Sequence, residues 1–149
     1  MTLRLVQAGE GSPRPAVLAF LVGPQTDAKI CDALGPTVAI LADDSSAGTE
    51  TYPQLLNRAV PQDVGVGPVS LAGWSRGCAR VRELYAAGAR PQSLILCDGT
   101  HALWPITPAA PTLRKWKAIA DAGRRGDCRV VMTCTSMRYT KDLPHTATG

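Results

Sequence analysis

Hydrophobic residues occur along this chain in short continuous runs rich in Val, Ile and Leu. Runs of this length and composition, bounded by glycine, proline or polar residues, are typical of strands that are covered on both faces of a sheet. We therefore predict five strands, which are AVLAFLV (16–22), TVAILAD (37–43), VSLAGWS (69–75), SLILCDG (93–99) and CRVVMTCT (128–135).

The segments between these runs have the spacing of helices, and each ends close to a glycine or a proline. The predicted helices span residues 25–34, 51–60, 76–87 and 112–122. Strands that are joined through helices run parallel, and right-handed crossovers then place helices on both faces of the sheet. The predicted fold is α/β, an open, mainly parallel five-stranded sheet with helices on both faces.

Composition predicts one domain over residues 1–149, because 45% of the residues are hydrophobic and no shift in composition marks a second domain. The run AVLAFLV lies between Pro15 and Gly23 and is too short for a transmembrane helix or a signal peptide. We therefore expect a protein without a membrane partner, either cytoplasmic or associated with a virion.

The five cysteines are odd in number and show no CxxC spacing, which argues against a disulfide framework and against a zinc site. We expect them to be small core residues in a reducing compartment. No GxGxxG follows a strand and no GxxxxGK[ST] occurs, so dinucleotide and P-loop sites are excluded. The sequence thus predicts no cofactor and no metal.

The net charge of +4 would favour contact with an acidic surface. The one dense basic run, RKWKAIADAGRR (114–125), has helical spacing with interleaved Ala, Ile and Asp. This pattern favours a solvated helix face over contact with nucleic acid or another anionic polymer.

Polar residues follow the predicted strands at their carboxyl ends, where an open parallel sheet places its functional loops. Within Gly73-Trp74-Ser75-Arg76-Gly77, the serine falls between a strand and a helix, which is the context of a nucleophile elbow. A sharp turn there would press the residues two before and two after the serine against neighbouring backbone, so both must be glycine. The alternative is a tight turn with an inert hydroxyl.

LAGWSRG (71–77) and, more loosely, LILCDGTHA (94–102) resemble the α/β-hydrolase superfamily. The similarity is to its small lidless members of the cutinase type and to the short hydrolase-like proteins of phage genomes. It implies a serine hydrolase that cleaves esters, with Ser75 as the nucleophile.

The superfamily order of serine, acid and histidine implies a triad of Ser75, Asp98 and His145. His101 is the alternative base, and Asp142 is the alternative acid. The superfamily normally has a helix after the histidine loop, whereas this sequence stops at HTATG (145–149). Either the sequence is part of a longer chain or His145 is held poorly.

The same resemblance implies an oxyanion hole formed by the Arg76 N–H and by Gln25, since Pro24 has no N–H to donate. Val22-Gly23 stands where the superfamily carries a His-Gly pair. Trp74 and Trp104 are candidate apolar walls for a small ester or for the edge of a polymer.

The competing hypothesis is a hydrolase fold retained as a structural or binding module, for example in a phage particle. Catalysis would then be weakened or lost, and the partner would be a second copy of the chain or another particle component.

Overall fold

The computed structural model describes residues 3–7, 14–20, 38–42, 50–63, 65–97 and 110–133. Within these ranges, six strands form one sheet and three helices pack against it. In chain order the elements are β1 (Leu3–Gln7), β2 (Arg14–Phe20), β3 (Val38–Ala42), α1 (Tyr52–Ala59), β4 (Val66–Trp74), α2 (Gly77–Ala86), β5 (Ser93–Cys97), α3 (Ala110–Arg125) and β6 (Arg129–Thr133).

The strand order across the sheet is β1-β3-β2-β4-β5-β6. The pairs from β3 to β6 are parallel, whereas β1 pairs antiparallel with β3 at the edge. The predicted α/β class and the mainly parallel sheet are confirmed. The predicted count of five strands is wrong because β1 adds a sixth.

The strand β1 has the sequence LRLVQ, in which polar residues interrupt the apolar ones. It pairs with a single neighbour and its register shifts between Leu5 and Gln7. Leu5 is 36% exposed. An edge strand of this kind has no continuous apolar run, and its pairing with β3 is a long-range contact that a local pattern does not reveal.

Two predicted boundaries change for identifiable reasons. α3 continues past Gly123 to Arg125, and Gly126 with φ +78° ends it instead. Pro15 lies inside β2, where the register with β4 shifts between Arg14 and Ala16. Proline has no N–H to donate to a neighbouring strand, and it is tolerated in a sheet at irregular positions such as this one.

The core lies between the sheet and the helices. Leu18, Leu71 and Leu94 are neighbours across β2, β4 and β5, and each is 0% exposed. The crossovers that contain α1, α2 and α3 all advance in one direction across the sheet, so right-handed connections place these helices on one face. The helix predicted for the second face, over residues 25–34, lies outside the described residues and stays a prediction.

α2 and α3 are joined by a cluster of charged and aromatic side chains. The guanidinium of Arg82 lies 5.3 Å from the ring centre of Trp116, a cation–π contact. Glu83 accepts hydrogen bonds from Arg82, over 2.9 Å, and from Lys115. Burial of Glu83 raises the pKa of its carboxyl, but the hydrogen bonds from Lys115 and Arg82 outweigh burial and lower it. The cluster therefore fixes α2, the helix that begins beside Ser75, against α3.

Candidate active site

Ser75 lies directly after Trp74, the last residue of β4, and two residues before Gly77, the first residue of α2. β4 is the middle of the five parallel strands. Ser75 therefore lies between a strand and a helix, as predicted, at the carboxyl end of the middle parallel strand. Its side chain is partly exposed.

The backbone of Ser75 has φ +50°. This is the left-handed region, which residues other than glycine rarely adopt and which costs about 1–3 kcal/mol. Arg76 returns to right-handed helical angles, φ −56° and ψ −25°. The chain thus turns from strand to helix at a single strained residue, and strain of this kind persists only where the surroundings fix it.

Hydrogen bonds hold Ser75 on both sides. Its N–H donates to the carbonyl oxygen of Cys97 at the end of β5, over 2.9 Å. Its carbonyl oxygen accepts a hydrogen bond from the Cys78 N–H over 3.0 Å. The strained residue is therefore tied both to the neighbouring strand and to the first turn of α2.

Gly73 and Gly77 have no room for a side chain. A Cβ at residue 73 would lie 2.6 Å from the backbone nitrogen of Cys78. A Cβ at residue 77 would lie 2.6 Å from the carbonyl oxygen of Phe20. This close approach confirms the steric reason that we predict for glycine two residues before and two residues after Ser75.

The start of α2 supplies hydrogen-bond donors beside Ser75. Within the described ranges, the backbone N–H groups of Arg76 and Gly77 have no acceptor. Unpaired N–H groups in a first helical turn, together with the positive end of the helix dipole, favour negative charge nearby. The local backbone can therefore stabilise an anion that forms on a group bound to Ser75.

Trp74 is 52% exposed. Successive side chains of a strand point to opposite faces, and Gly73 faces α2. Trp74 therefore points away from α2, and its role as an apolar wall beside Ser75 stays a prediction.

The other predicted site residues lie outside the described residues: Gln25, Asp98, His101, Trp104, Asp142 and His145. Their roles stay predictions. Asp98 is bonded directly to Cys97, whose carbonyl oxygen accepts the Ser75 N–H. The fold thus brings Ser75 to the strand end that immediately precedes the predicted acid.

The thiol of Cys78 lies at the same turn as Ser75, a position for which the sequence predicts no role beyond packing. We expect the cysteines to be small core residues, and Cys78 is indeed 0% exposed. Its sulfur, however, lies 3.1 Å from the carbonyl oxygen of Gly73. Its position in the chain, three residues after Ser75 at the start of a helix, is the signal that places it under the turn.

A cavity of about 520 Å³ lies at the other end of β4, where Tyr52, Leu56, Val60, Val66 and Val69 are among its lining residues. Val69 precedes Ser75 by six residues, which in a strand is about 20 Å. This cavity is therefore separate from the candidate active site.

The basic residues of α3 are largely paired with carboxylates. Lys117 and Arg124 both contact Asp121, and Arg125 contacts Asp127. The basic members of these pairs are exposed, as expected of a solvated helix face, and the absence of a nucleic-acid contact stays a prediction. Across the parts of the chain that are described, every helix is too short or too polar to span a membrane.

No family model matches this chain, and no curated protein matches it either. Function at this site is therefore inferred from its geometry and its chemistry.

Proposed function

We propose that the protein is a serine hydrolase of the esterase type, similar to the α/β-hydrolases, with Ser75 as its nucleophile. The observation that carries the proposal is the left-handed backbone of Ser75, φ +50°, between two glycines that cannot accept a Cβ. Among the described residues, the other positive φ angles belong to Gly88 and Gly126. A plain turn uses glycine at such a position, so a serine that retains the strain favours a use for its hydroxyl.

In the proposed reaction, Ser75 Oγ attacks the carbonyl carbon of an ester as the proton of Ser75 passes to a neutral imidazole. We assign that imidazole to His145 and its orienting carboxylate to Asp98, with His101 and Asp142 as the alternatives. The imidazolium then protonates the departing alcohol, which leaves an acyl group on Ser75. Water, activated by the same imidazole, releases the acid and restores the serine.

The carbonyl oxygen of the substrate becomes negative when the C–O bond to Ser75 forms. The Arg76 N–H, next to the nucleophile at the start of α2, is the first proposed donor to this oxyanion, and Gln25 is the second. Removal of one such donor typically lowers turnover by about 100-fold to 1000-fold. The unpaired Arg76 N–H within the described ranges supports the first assignment.

We expect the substrate to be a small ester or the edge of a polymer. The exposed ring of Trp74 beside Ser75 supports an apolar acyl or alcohol group at this position, and Trp104 is the proposed second wall. A structural or binding module, such as a component of a phage particle, remains the competing function.

A fluorophosphonate probe tests the proposal, because it labels an activated serine and leaves an ordinary serine unmodified. We expect the wild-type protein to be labelled and Ser75→Ala to be unlabelled. Ser70→Ala is the matched control, since Ser70 lies on the same strand and should have no effect on labelling. If the wild-type protein is not labelled and hydrolyses p-nitrophenyl esters no faster than Ser75→Ala, the module hypothesis is favoured instead.

The same assays identify the base. Members of a triad act as a unit, so Ser75→Ala and His145→Ala should fall to a similar floor of activity. A loss with His101→Ala but not with His145→Ala would reassign the base and leave the hydrolase intact.

A further inference from the structure

Cys78 contacts the turn at Ser75 through both its backbone and its side chain. Its N–H donates to the Ser75 carbonyl oxygen over 3.0 Å. Its Sγ lies 3.1 Å from the carbonyl oxygen of Gly73 and 3.6 Å from that of Cys97. One residue of α2 thus reaches the ends of two neighbouring strands directly beneath the strained serine.

The carbonyl oxygen of Cys97 is shared by two donors. It accepts the Ser75 N–H over 2.9 Å, and the Cys78 thiol is within hydrogen-bonding distance of the same oxygen. A thiol has one hydrogen, which it can donate to one carbonyl at a time or share between two. Both carbonyls border the amino side of Ser75, because Gly73 lies two residues earlier in the chain and the Cys97 carbonyl oxygen accepts the Ser75 N–H.

We propose that Cys78 is a positioning residue that holds the backbone of Ser75 in its left-handed conformation through the thiol hydrogen bonds to Gly73 and Cys97. The positioning of a nucleophile, as opposed to a turn, rests on the function proposed above. The alternative role for a thiol that is 0% exposed is plain packing, because a buried cysteine commonly serves as a small hydrophobic residue.

Two substitutions separate positioning from packing. Cys78→Ala removes the donor and the sulfur, whereas Cys78→Ser retains a hydroxyl donor at the same position. Cys128→Ala is the matched control, since Cys128 is also a buried cysteine, 8% exposed, and it directly precedes β6, at the end of the sheet opposite Ser75.

The first readout is hydrogen exchange of the Ser75 amide measured by NMR, compared with other amides of β4 in the same variant. We expect exchange at Ser75 to be about threefold to tenfold faster in Cys78→Ala, the loss typical of one hydrogen bond. Cys78→Ser should retain the wild-type rate, and Cys128→Ala should change exchange at Ser75 no more than elsewhere in β4. Equal effects of Cys78→Ala and Cys128→Ala at Ser75 would overturn the proposal.

The comparison of Cys78→Ser with the wild-type protein keeps the test decisive if Cys78→Ala does not fold. Faster exchange at Ser75 in Cys78→Ser, beyond any change in the rest of β4, would show that the volume of the sulfur matters and the donor does not. That result would also overturn the proposal.

The second readout is the rate of labelling by the fluorophosphonate probe. If the wild-type protein is labelled but Cys78→Ala does not speed exchange of the Ser75 amide, the hydrolase proposal stands and the role of Cys78 is rejected. If the wild-type protein is not labelled but Cys78→Ala does speed exchange of the Ser75 amide, the hydrolase proposal is rejected, and Cys78 still holds the turn at Ser75. If both proposals hold, Cys78→Ala should also slow labelling by about threefold to tenfold, and Cys78→Ser should restore it.

Discussion

Gly77 and Phe20 meet backbone to backbone: a Cβ at residue 77 would lie only 2.6 Å from the carbonyl oxygen of Phe20. The first turn of α2 therefore touches β2 as well as β4, and the position of the turn at Ser75 depends on this contact. The approach is closer than real Cβ atoms allow, so a side chain at residue 77 would force the helix away from the sheet.

Gly77→Ala should therefore destabilise the protein by about 1–3 kcal/mol, the usual cost of a substitution that overpacks a core. Gly65→Ala is the control, because nothing lies within 4 Å of a Cβ at residue 65, and it should stay within about 0.5 kcal/mol of wild type. Urea unfolding of the three proteins measures the difference. Equal stability of Gly77→Ala and Gly65→Ala would contradict the close approach.

Ser75→Gly should be more stable than Ser75→Ala by about 1 kcal/mol, because glycine adopts a positive φ without the strain that a Cβ causes. The same pair at Ser70, in the interior of β4, should show the opposite order, since glycine weakens a regular strand by roughly 0.5–1 kcal/mol. The free energies of unfolding of these four variants give both comparisons. If the glycine variant were more stable than the alanine variant at both positions, or less stable at both, the result would contradict a left-handed backbone at Ser75.

Protonation of Glu83 should destabilise the folded protein. Its pKa is lowered in the folded state from the ordinary value of 4.5, so its contribution is complete above pH 4.5 and is lost as the pH falls through the lower, folded-state value. Glu83 is 39% exposed, so water screens its ion pairs and the contribution is modest. Thermal unfolding between pH 7 and pH 3 should show a smaller loss of stability in Glu83→Gln than in wild type. If the unfolding temperatures of the two proteins fall equally with pH, the loss of stability in acid comes from groups other than Glu83.

Trp74→Ala should weaken hydrolysis of longer acyl esters more than hydrolysis of acetate, if Trp74 forms an apolar wall beside Ser75. Trp74→Ala would remove the partly buried contact between the ring and a few methylene groups of the acyl chain. The expected result is roughly a fivefold rise in the KM of this variant for p-nitrophenyl hexanoate. Leu113→Ala is the control, because Leu113 is similarly exposed, at 45%, but lies on α3. Steady-state kinetics on the acetate and the hexanoate give the ratio of the two KM values. If KM changes equally for both esters, Trp74 does not contact the acyl chain.

The sequence predicts β2 well because its residues 16–20 are all buried and leave one continuous apolar run. In β4 and β5, buried residues alternate with less buried ones, but the less buried positions are mostly apolar or small as well, so these strands are also recognised. The spacing of Gly73 and Gly77 around Ser75 also identifies the turn, since close backbone approach leaves a mark in the sequence. Two features leave no such mark. β1 depends on a partner more than thirty residues away in the chain, and the role of Cys78 depends on where the carbonyl groups of two other strands end.

The prediction of the α3 boundary failed for a related reason. Gly123 is a reasonable stop signal by itself, but within α3 it faces Val130, and a Cβ there would lie 2.9 Å from a Val130 methyl group. Glycine is therefore needed for packing at that position and does not end the helix. Local pattern alone does not separate these two uses of glycine.

The order of the strands also bears on how the chain folds. β1 and β2 are consecutive and separated by only six residues, 8–13, and their directions are those of an antiparallel hairpin. In the native sheet, however, β3 lies between them. A β1–β2 hairpin, which is the contact available first to a growing chain, is therefore a non-native pairing. Where such a hairpin forms, it must open before β3 can insert, and the long-range pairing of β1 with β3 then forms more slowly than a local contact.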